Sequence, residues 1–224
     1  MDIVVIPARS GSKRVKNKNF RPFHNSSLIE IAINFGKSLG MKTIVSTDNY
    51  SEIKKFQDDQ VTVLQRTKKN SSDDATAEEV LREVISKCKL NDSDSIVYLQ
   101  PTSPLRQISS IRNAIDFSKS HQDCVIMSVT ATSDEFWMED SENGFLRIGP
   151  ILGEFYNSRN SKNRRPIYKE NGNFYIIPVH LISELSNLSD TRVQKFVTSQ
   201  EEDFDINTER DFFVCELLYA SRLN

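Results

Sequence analysis

Five short runs of consecutive apolar, mostly β-branched residues constrain this chain most: Ile3 to Ile6, Thr43 to Ser46, Val61 to Leu64, Ile96 to Leu99 and Val125 to Val129. None shows the polar alternation of a half-exposed strand, so each reads as a strand covered on both faces, although periodicity alone does not separate such a run from a short buried helix. Between them the apolar residues change period. Leu28, Ile31, Phe35 and Leu39 recur at helical spacing, as do Val80, Leu81, Val84, Ile85 and Cys88, and Ile108, Ile111 and Ile115 mark a third helix. Thr76 with Glu79 three places on is a capping box at the start of the second. Strand and helix in alternation predict an α/β fold, a Rossmann-like and mostly parallel sheet covered by helices.

The alternation breaks near Ser133. DEFWMEDSENGF carries acids and an Asn-Gly turn signal, and NSRNSKNRR is too long and polar for a tight connection, so Asp134 to Tyr168 is expected to leave the sheet. The chain is expected to return through the strand NFYII, followed by a helix led by Pro178, a short strand from Lys195 to Thr198, and a last helix near Thr208 with Asp211 in the capping-box position. A length of 224 residues suits one domain with an excursion better than two halves.

Composition narrows the functional classes. With 29 basic and 31 acidic residues the net charge is −2, so no global positive field recruits nucleic acid. No apolar run approaches the ~20 residues of a membrane span, and a strand follows Met1 directly, so a cytoplasmic protein is expected. Cys88, Cys124 and Cys215 lie far apart in apolar patterns and read as buried thiols. His24, His121 and His180 have no metal-ligand spacing and read as packing or surface residues.

The chemistry concentrates after the first strand. DIVVIP runs into ARSGSKRVKNKN, where Ser10, Gly11 and Ser12 let backbone amides approach an anion and Arg9, Lys13 and Lys18 supply charge to phosphate oxygens. Neither a Walker loop nor a dinucleotide fingerprint is present, and the same cluster in isolation could be a solvated basic turn. Its position after the first buried strand favours a nucleotide triphosphate.

The whole set of motifs resembles the acylneuraminate cytidylyltransferases, or CMP-sialate synthetases. IPARSGSKRVKNKN is similar to that family's opening motif, and VSTD at 45 to 48, Arg66 with SSDDA at 71 to 75, LQPTSPLR at 99 to 106, YKENGNFYI at 168 to 176 and DINTERDF at 205 to 212 follow in the family's order. The resemblance implies a nucleotidyltransferase that joins CTP to a sialic-acid-like nonulosonic acid, releasing pyrophosphate, with Mg²⁺. It gives Arg9, Ser10, Gly11, Ser12, Lys13 and Lys18 to the triphosphate, Asn19 to the nucleotide, and Arg66, Asp73 and Ala75 to the cytidine end, where SSDDATAEEV would also serve simply to start a helix. Gln100, Thr102 and Ser103 go to the sugar, as do Tyr168, Asn171 and a basic residue for its carboxylate: Arg164 or Arg165, with Lys162 a third candidate. Arg9, Lys13, Lys18 and Asp205 would carry the reaction. Asp205 stands where the family has a metal-binding acid in a DID pattern, and this chain reads DIN, leaving Asn207 without the second charge. The resemblance also implies a homodimer built through the excursion. Two alternatives stay open: a cytidylyltransferase for 3-deoxy-manno-octulosonate, and a nucleotide-binding protein without catalysis on the same fold.

Overall fold

A computed structural model gives the fold, and it describes residues 1–72, 74–132, 167–184 and 191–223, together with the backbone of 137–140 and 144–147. The strands are β1 (Asp2–Ala8), β2 (Pro22–Phe23) and β3 (Ser26–Ser27), followed by helix α1 (Leu28–Ser38). Next come β4 (Thr43–Thr47), α2 (Tyr50–Ile53), β5 (Val61–Gln65), α3 (Ala77–Cys88), β6 (Ser95–Tyr98) and α4 (Ile108–Ser118). After β7 (Cys124–Thr132) lie β8 (Trp137–Asp140) and β9 (Gly144–Arg147), then β10 (Ile167–Pro178), α5 (Val179–Glu184), β11 (Arg192–Val197) and α6 (Glu209–Ser221).

Seven strands form one sheet in the order β11-β7-β10-β6-β1-β4-β5. β1 pairs in parallel with β4 and β6, β4 with β5, and β11 with β7, while β10 runs antiparallel between β6 and β7. The five apolar runs are therefore all strands of this sheet, as their patterning predicts. In β1, Val4 and Ile6 point into one apolar cluster with Ile29, Ile33 and Ile111. Ile3 and Val5 point into a second with Leu81, Val84 and Leu181. Covering on both faces is what allows a strand to be continuously apolar.

Several boundaries differ from expectation for identifiable reasons. In the predicted stripe of α1, Leu28 and the following Leu39 are buried while Ile31 and Phe35 are only partly so, and Ile29, Ala32, Ile33 and Gly36 are buried as well, Gly36 lying so close to β4 that a Cβ there would be 2.7 Å from Thr43 Oγ1. β10 begins at Ile167, earlier than NFYII, since its first residues pair with the far end of β7 before the register shifts between Glu170 and Tyr175. β11 spans Arg192–Val197 rather than starting at Lys195, and it is almost entirely exposed, which fits an edge strand. Pro178 closes β10, and α5 starts at the next residue. Both capping boxes, Thr76 with Glu79 and Thr208 with Asp211, are formed. β8 and β9 pair antiparallel in a sheet of their own around the Asn-Gly signal, so this part of the excursion does leave the main sheet.

Candidate active site

Along β5-β4-β1-β6 the chain first builds outward from β1 on one side and then crosses to the other. The order reverses between β1 and β6, and in open parallel sheets the loops at such a reversal diverge to leave a crevice at the carboxyl ends of the strands. The loops leaving β1, β4, β5 and β6 all meet there.

The loop after β1 is folded rather than splayed. Val15 is fully buried in a third apolar cluster with Phe23, Leu105, Ile206 and Phe212, which ties this loop, the LQPTSPLR turn, the DIN segment and α6 into one base. Asn17 takes a left-handed φ of 53° and its carbonyl accepts from the amides of Phe20 and Arg21, both at 2.9 Å. A small polar residue tolerates that backbone. Asp48, just beyond β4, accepts from the Ser10 amide at 2.8 Å and from Ser10 Oγ at 2.8 Å. This two-point tie fixes the start of the loop. Asp48 belongs to the VSTD landmark, but its role is visible only once β1 and β4 are seen as neighbours.

Two cavities follow. The first, about 290 Å³, lies between Arg9, Asn19, Arg66, Ala75, Tyr98 and Gln100. The second, about 430 Å³, adjoins it and shares Arg9, Asn19 and Thr102. Arg9, Lys13, Arg14 and Lys18 bring four cations to this second cavity, and no acid among the described residues lines it. Such a basin suits an anion of several charges. Arg14 was absent from the sequence-predicted site, and its place beside Lys13 and Lys18 follows from the turn anchored by Val15.

Among the described residues, three buried side-chain atoms lack a hydrogen-bond partner within the protein: Asn19 Oδ1, Arg66 Nη2 and Thr102 Oγ1. All three residues line the first cavity. An unpaired buried polar atom costs about 1–3 kcal/mol, so three in one cleft mark a surface made to be completed by a ligand. The other polar atoms of Asn19 and Arg66 are bonded. Asn19 Nδ2 donates to the Arg9 carbonyl at 3.1 Å, and Arg66 Nε donates to Ser46 Oγ at 2.9 Å. Burial draws the Arg66 guanidinium below its ordinary value, an effect opposed by Tyr98 and Asp48. Tyr98 lies beside it, its hydroxyl pushed up to about 12 by burial, so it is a neutral donor at physiological pH.

At the other end of the cleft, the bulge in β10 carries Gly172 at φ 64°. A Cβ on Gly172 would lie 3.7 Å from Asp205 Cγ and 3.8 Å from Gln100 Oε1, so these two sequence-predicted residues converge on one spot. Ser103 Oγ donates to the Gly172 carbonyl at 3.1 Å, and Ile206 donates its amide to the Thr102 carbonyl at 3.0 Å. Lys18 Nζ donates to the Ile206 carbonyl, and burial lowers its pKa against the raising effect of Asp205. Asn207 Nδ2 donates to Asp205 Oδ2 at 2.6 Å.

Other predicted residues are placed differently. Asn171 is 2% exposed and its amide is saturated: Nδ2 donates to Thr130 Oγ1 and Thr198 Oγ1, each at 2.8 Å, and Oδ1 accepts from Ser128 Oγ and the Asn173 amide. It holds the bulge in shape from below and has no bonding capacity left for a sugar. Tyr168 precedes the bulge, with Lys195 Nζ 4.8 Å from its ring centre. Ser12 and Lys13 line the basin with Lys18, while a Cβ on Gly11 would meet nothing within 4 Å. Asp73, Lys162, Arg164 and Arg165 lie outside the described residues. No group of three His, Cys, Asp or Glu side chains suited to a metal occurs among the described residues.

The cytidylyltransferase family model matches residues 3–145, which hold the sheet reversal, the folded loop and the lining of both cavities. The chain belongs to the cytidylyltransferase family. Within it, the chain is 29% identical over 223 residues to CMP-N,N'-diacetyllegionaminic acid synthase of Legionella pneumophila subsp. pneumophila, covering 96% of this chain and 95% of that protein. It is 28% identical to N-acylneuraminate cytidylyltransferase of Streptococcus agalactiae serotype V, covering 94% of this chain but 51% of that longer protein. CMP:2-keto-3-deoxy-manno-octonic acid synthetase complexed with CTP shares the fold, with a TM-score of 0.70 over 99% of both chains at 16% identity. The expected α/β nucleotidyltransferase and the resemblance to CMP-sialate synthetases both stand. No helix among the described residues is long and apolar enough to cross a membrane.

Proposed function

We propose that this chain transfers CMP from CTP to the anomeric C2 hydroxyl of a nonulosonic acid, releasing pyrophosphate. The observation that carries this is the cleft itself: three buried polar atoms that lack partners among the described residues, beside a four-cation basin. Arg66 offers a donor and Asn19 an acceptor, a pair that can read the edge of a pyrimidine. Arg9, Lys13, Arg14 and Lys18 line one basin, whose charge suits a triphosphate. The names of the Legionella and Streptococcus relatives support the acid class, whereas the octulosonate alternative rests on likeness of fold.

In this reading the acceptor lies toward Gln100 and Gly172. Next to Gln100 an apolar hollow of about 280 Å³, walled by Tyr98, Met127, Tyr175 and Val193, can take the non-polar part of a substituted sugar acid. The C2 oxygen bonds to the α-phosphorus as the bond from that phosphorus to the bridging oxygen breaks, and the charge passes to pyrophosphate. Lys18 and Arg9 hold that charge, so the chain contributes by positioning and electrostatics. Asp205, with Asn207 beside it, supplies one carboxylate and would be the residue that holds Mg²⁺, a hard cation that favours carboxylate oxygens. When bound there the ion would offset triphosphate charge. The hydroxyl proton leaves to solvent or a substrate oxygen, since no described side chain is placed as a dedicated base. Lys162, Arg164 and Arg165 remain the candidates for the sugar carboxylate, and the reading keeps a cytoplasmic homodimer.

The test is release of pyrophosphate by purified protein given CTP, Mg²⁺ and one of a panel of nonulosonic acids. Release that needs both CTP and an acid supports the reading. CTP binding without release across the panel would favour a nucleotide-binding protein without catalysis.

A further inference from the structure

Below the acceptor end of the cleft lies a set of polar side chains that the nucleotide end does not use. Arg106, Asn173 and Glu202 are 6%, 0% and 1% exposed. Arg106 Nη2 donates to the Gln100 carbonyl and Nε donates to Asn173 Oδ1 at 3.3 Å. Asn173 Nδ2 donates to Glu202 Oε2 at 3.1 Å. The Glu202 carboxylate also accepts from the Gln107 amide at 2.9 Å and from Ser110 Oγ at 2.7 Å. Burial pulls the Arg106 guanidinium down to about 9, opposed by Glu202 first and Asp205 second.

Apolar side chains of the same volume often stabilise a fold as well as or better than a buried cation and anion, so stability alone does not explain this network. Its members come from four stretches: the end of LQPTSPLR, the start of α4, the β10 bulge, and the turn that leads to Asp205. In that turn the Phe204 amide donates to the Glu202 carbonyl at 2.9 Å, three residues from Asp205. Gln100 and Asp205 in turn flank Gly172. The nucleotide end is held by other bonds, from Ser10 to Asp48, from Arg66 to Ser46 and from Asn19 to the Arg9 carbonyl.

We propose that Arg106, Asn173 and Glu202 are positioning residues, a buried relay that sets Gln100 and Asp205 on either side of Gly172 and so aligns the acceptor with the α-phosphorus. This role rests on the reading of the cleft as a site for CTP and a sugar acid. Because none of the relay's bonds reaches Ser10, Asn19 or Arg66, its loss should separate the two substrates kinetically. Misplacement by about 1 Å can cost roughly a hundredfold in rate while leaving a remote binding site intact.

The test is Glu202→Gln, which keeps the shape and removes the charge, with CTP affinity by calorimetry and kcat and KM for an acid that the unaltered protein converts. Expected are a CTP Kd within about twofold and a kcat/KM for the acid at least about tenfold lower, mostly in kcat. Ser110→Ala removes one hydroxyl from the half-buried edge of the relay and should give the same split at about threefold. It decides the matter if Glu202→Gln does not fold. Folded variants whose CTP and acid parameters fall together, or do not move, overturn the relay. Failure of the unaltered protein to turn over any acid overturns the acceptor reading, and the relay's role with it.

Discussion

Thr102→Val makes opposite predictions for the empty and the occupied cleft. Thr102 Oγ1 is buried and has no partner among the described residues, while the Thr102 backbone carbonyl is already used by the Ile206 amide at 3.0 Å. Valine keeps the β-branched shape and backbone preference, so the change deletes one unpaired hydroxyl and little else. A buried hydroxyl without a hydrogen bond costs about 1–3 kcal/mol, and Thr102→Val should therefore stabilise the unliganded protein by about 1 kcal/mol, raising Tm by about 2–4 °C for a chain of this size. A ligand that completes the hydroxyl loses that bond in the variant. At about 0.5–1.5 kcal/mol for the bond, Kd for CTP should rise about two- to twelvefold. Thermal unfolding without nucleotide, followed by calorimetric titration with CTP, measures both signs. A variant that is less stable when empty and binds CTP unchanged would refute the view that the cleft is built around unpaired polar atoms.

Gly172→Ala puts a side chain on a left-handed backbone at φ 64°, with its Cβ 3.7 Å from Asp205 Cγ; it should cost about 1–2 kcal/mol in urea unfolding and weaken acid turnover more than CTP binding. Burial holds Lys18 below its ordinary 10.5, so as pH rises its charge is lost earlier than that of a surface lysine, and CTP affinity should decline on the alkaline side. In Lys18→Arg, whose guanidinium stays protonated, that decline should move to higher pH, and superimposable profiles would refute the assignment. Asn207→Asp replaces the amide that donates to Asp205 Oδ2 at 2.6 Å with a second carboxylate. The Mg²⁺ concentration for half-maximal rate should fall by about threefold to tenfold, on the order of 1 kcal/mol, and an unchanged Mg²⁺ requirement would remove Asp205 from the metal-binding account.

The sheet was legible because its strands are covered on both faces and both capping boxes are written in adjacent residues, so local pattern and final structure agree at Val4, Ile6, Thr76 and Thr208. The basic loop was legible by its position after β1. Pattern does not carry the contacts made across the sheet. Asp48 reaches Ser10 only because β4 lies next to β1, and Glu202 is linked to Arg106 only through Asn173 of the β10 bulge. For the same reason Asn171, which reads as a sugar contact beside Gly172, turns inward: the bulge changes which way successive side chains point, and Ser128, Thr130 and Thr198 take up its amide. Arg14 was passed over because five cations in one loop look alike until Val15 fixes which of them face the basin.

The most direct measurement is phosphorus NMR of the protein with CTP, Mg²⁺ and each nonulosonic acid in turn. With a matching acid, CTP should disappear as pyrophosphate and a CMP phosphodiester appear in equal amounts, and neither should form when the acid is withheld. Hydrolysis of CTP to CMP or CDP in place of the diester, or no reaction with any acid while CTP remains bound, would contradict the assignment of this cleft to CMP transfer.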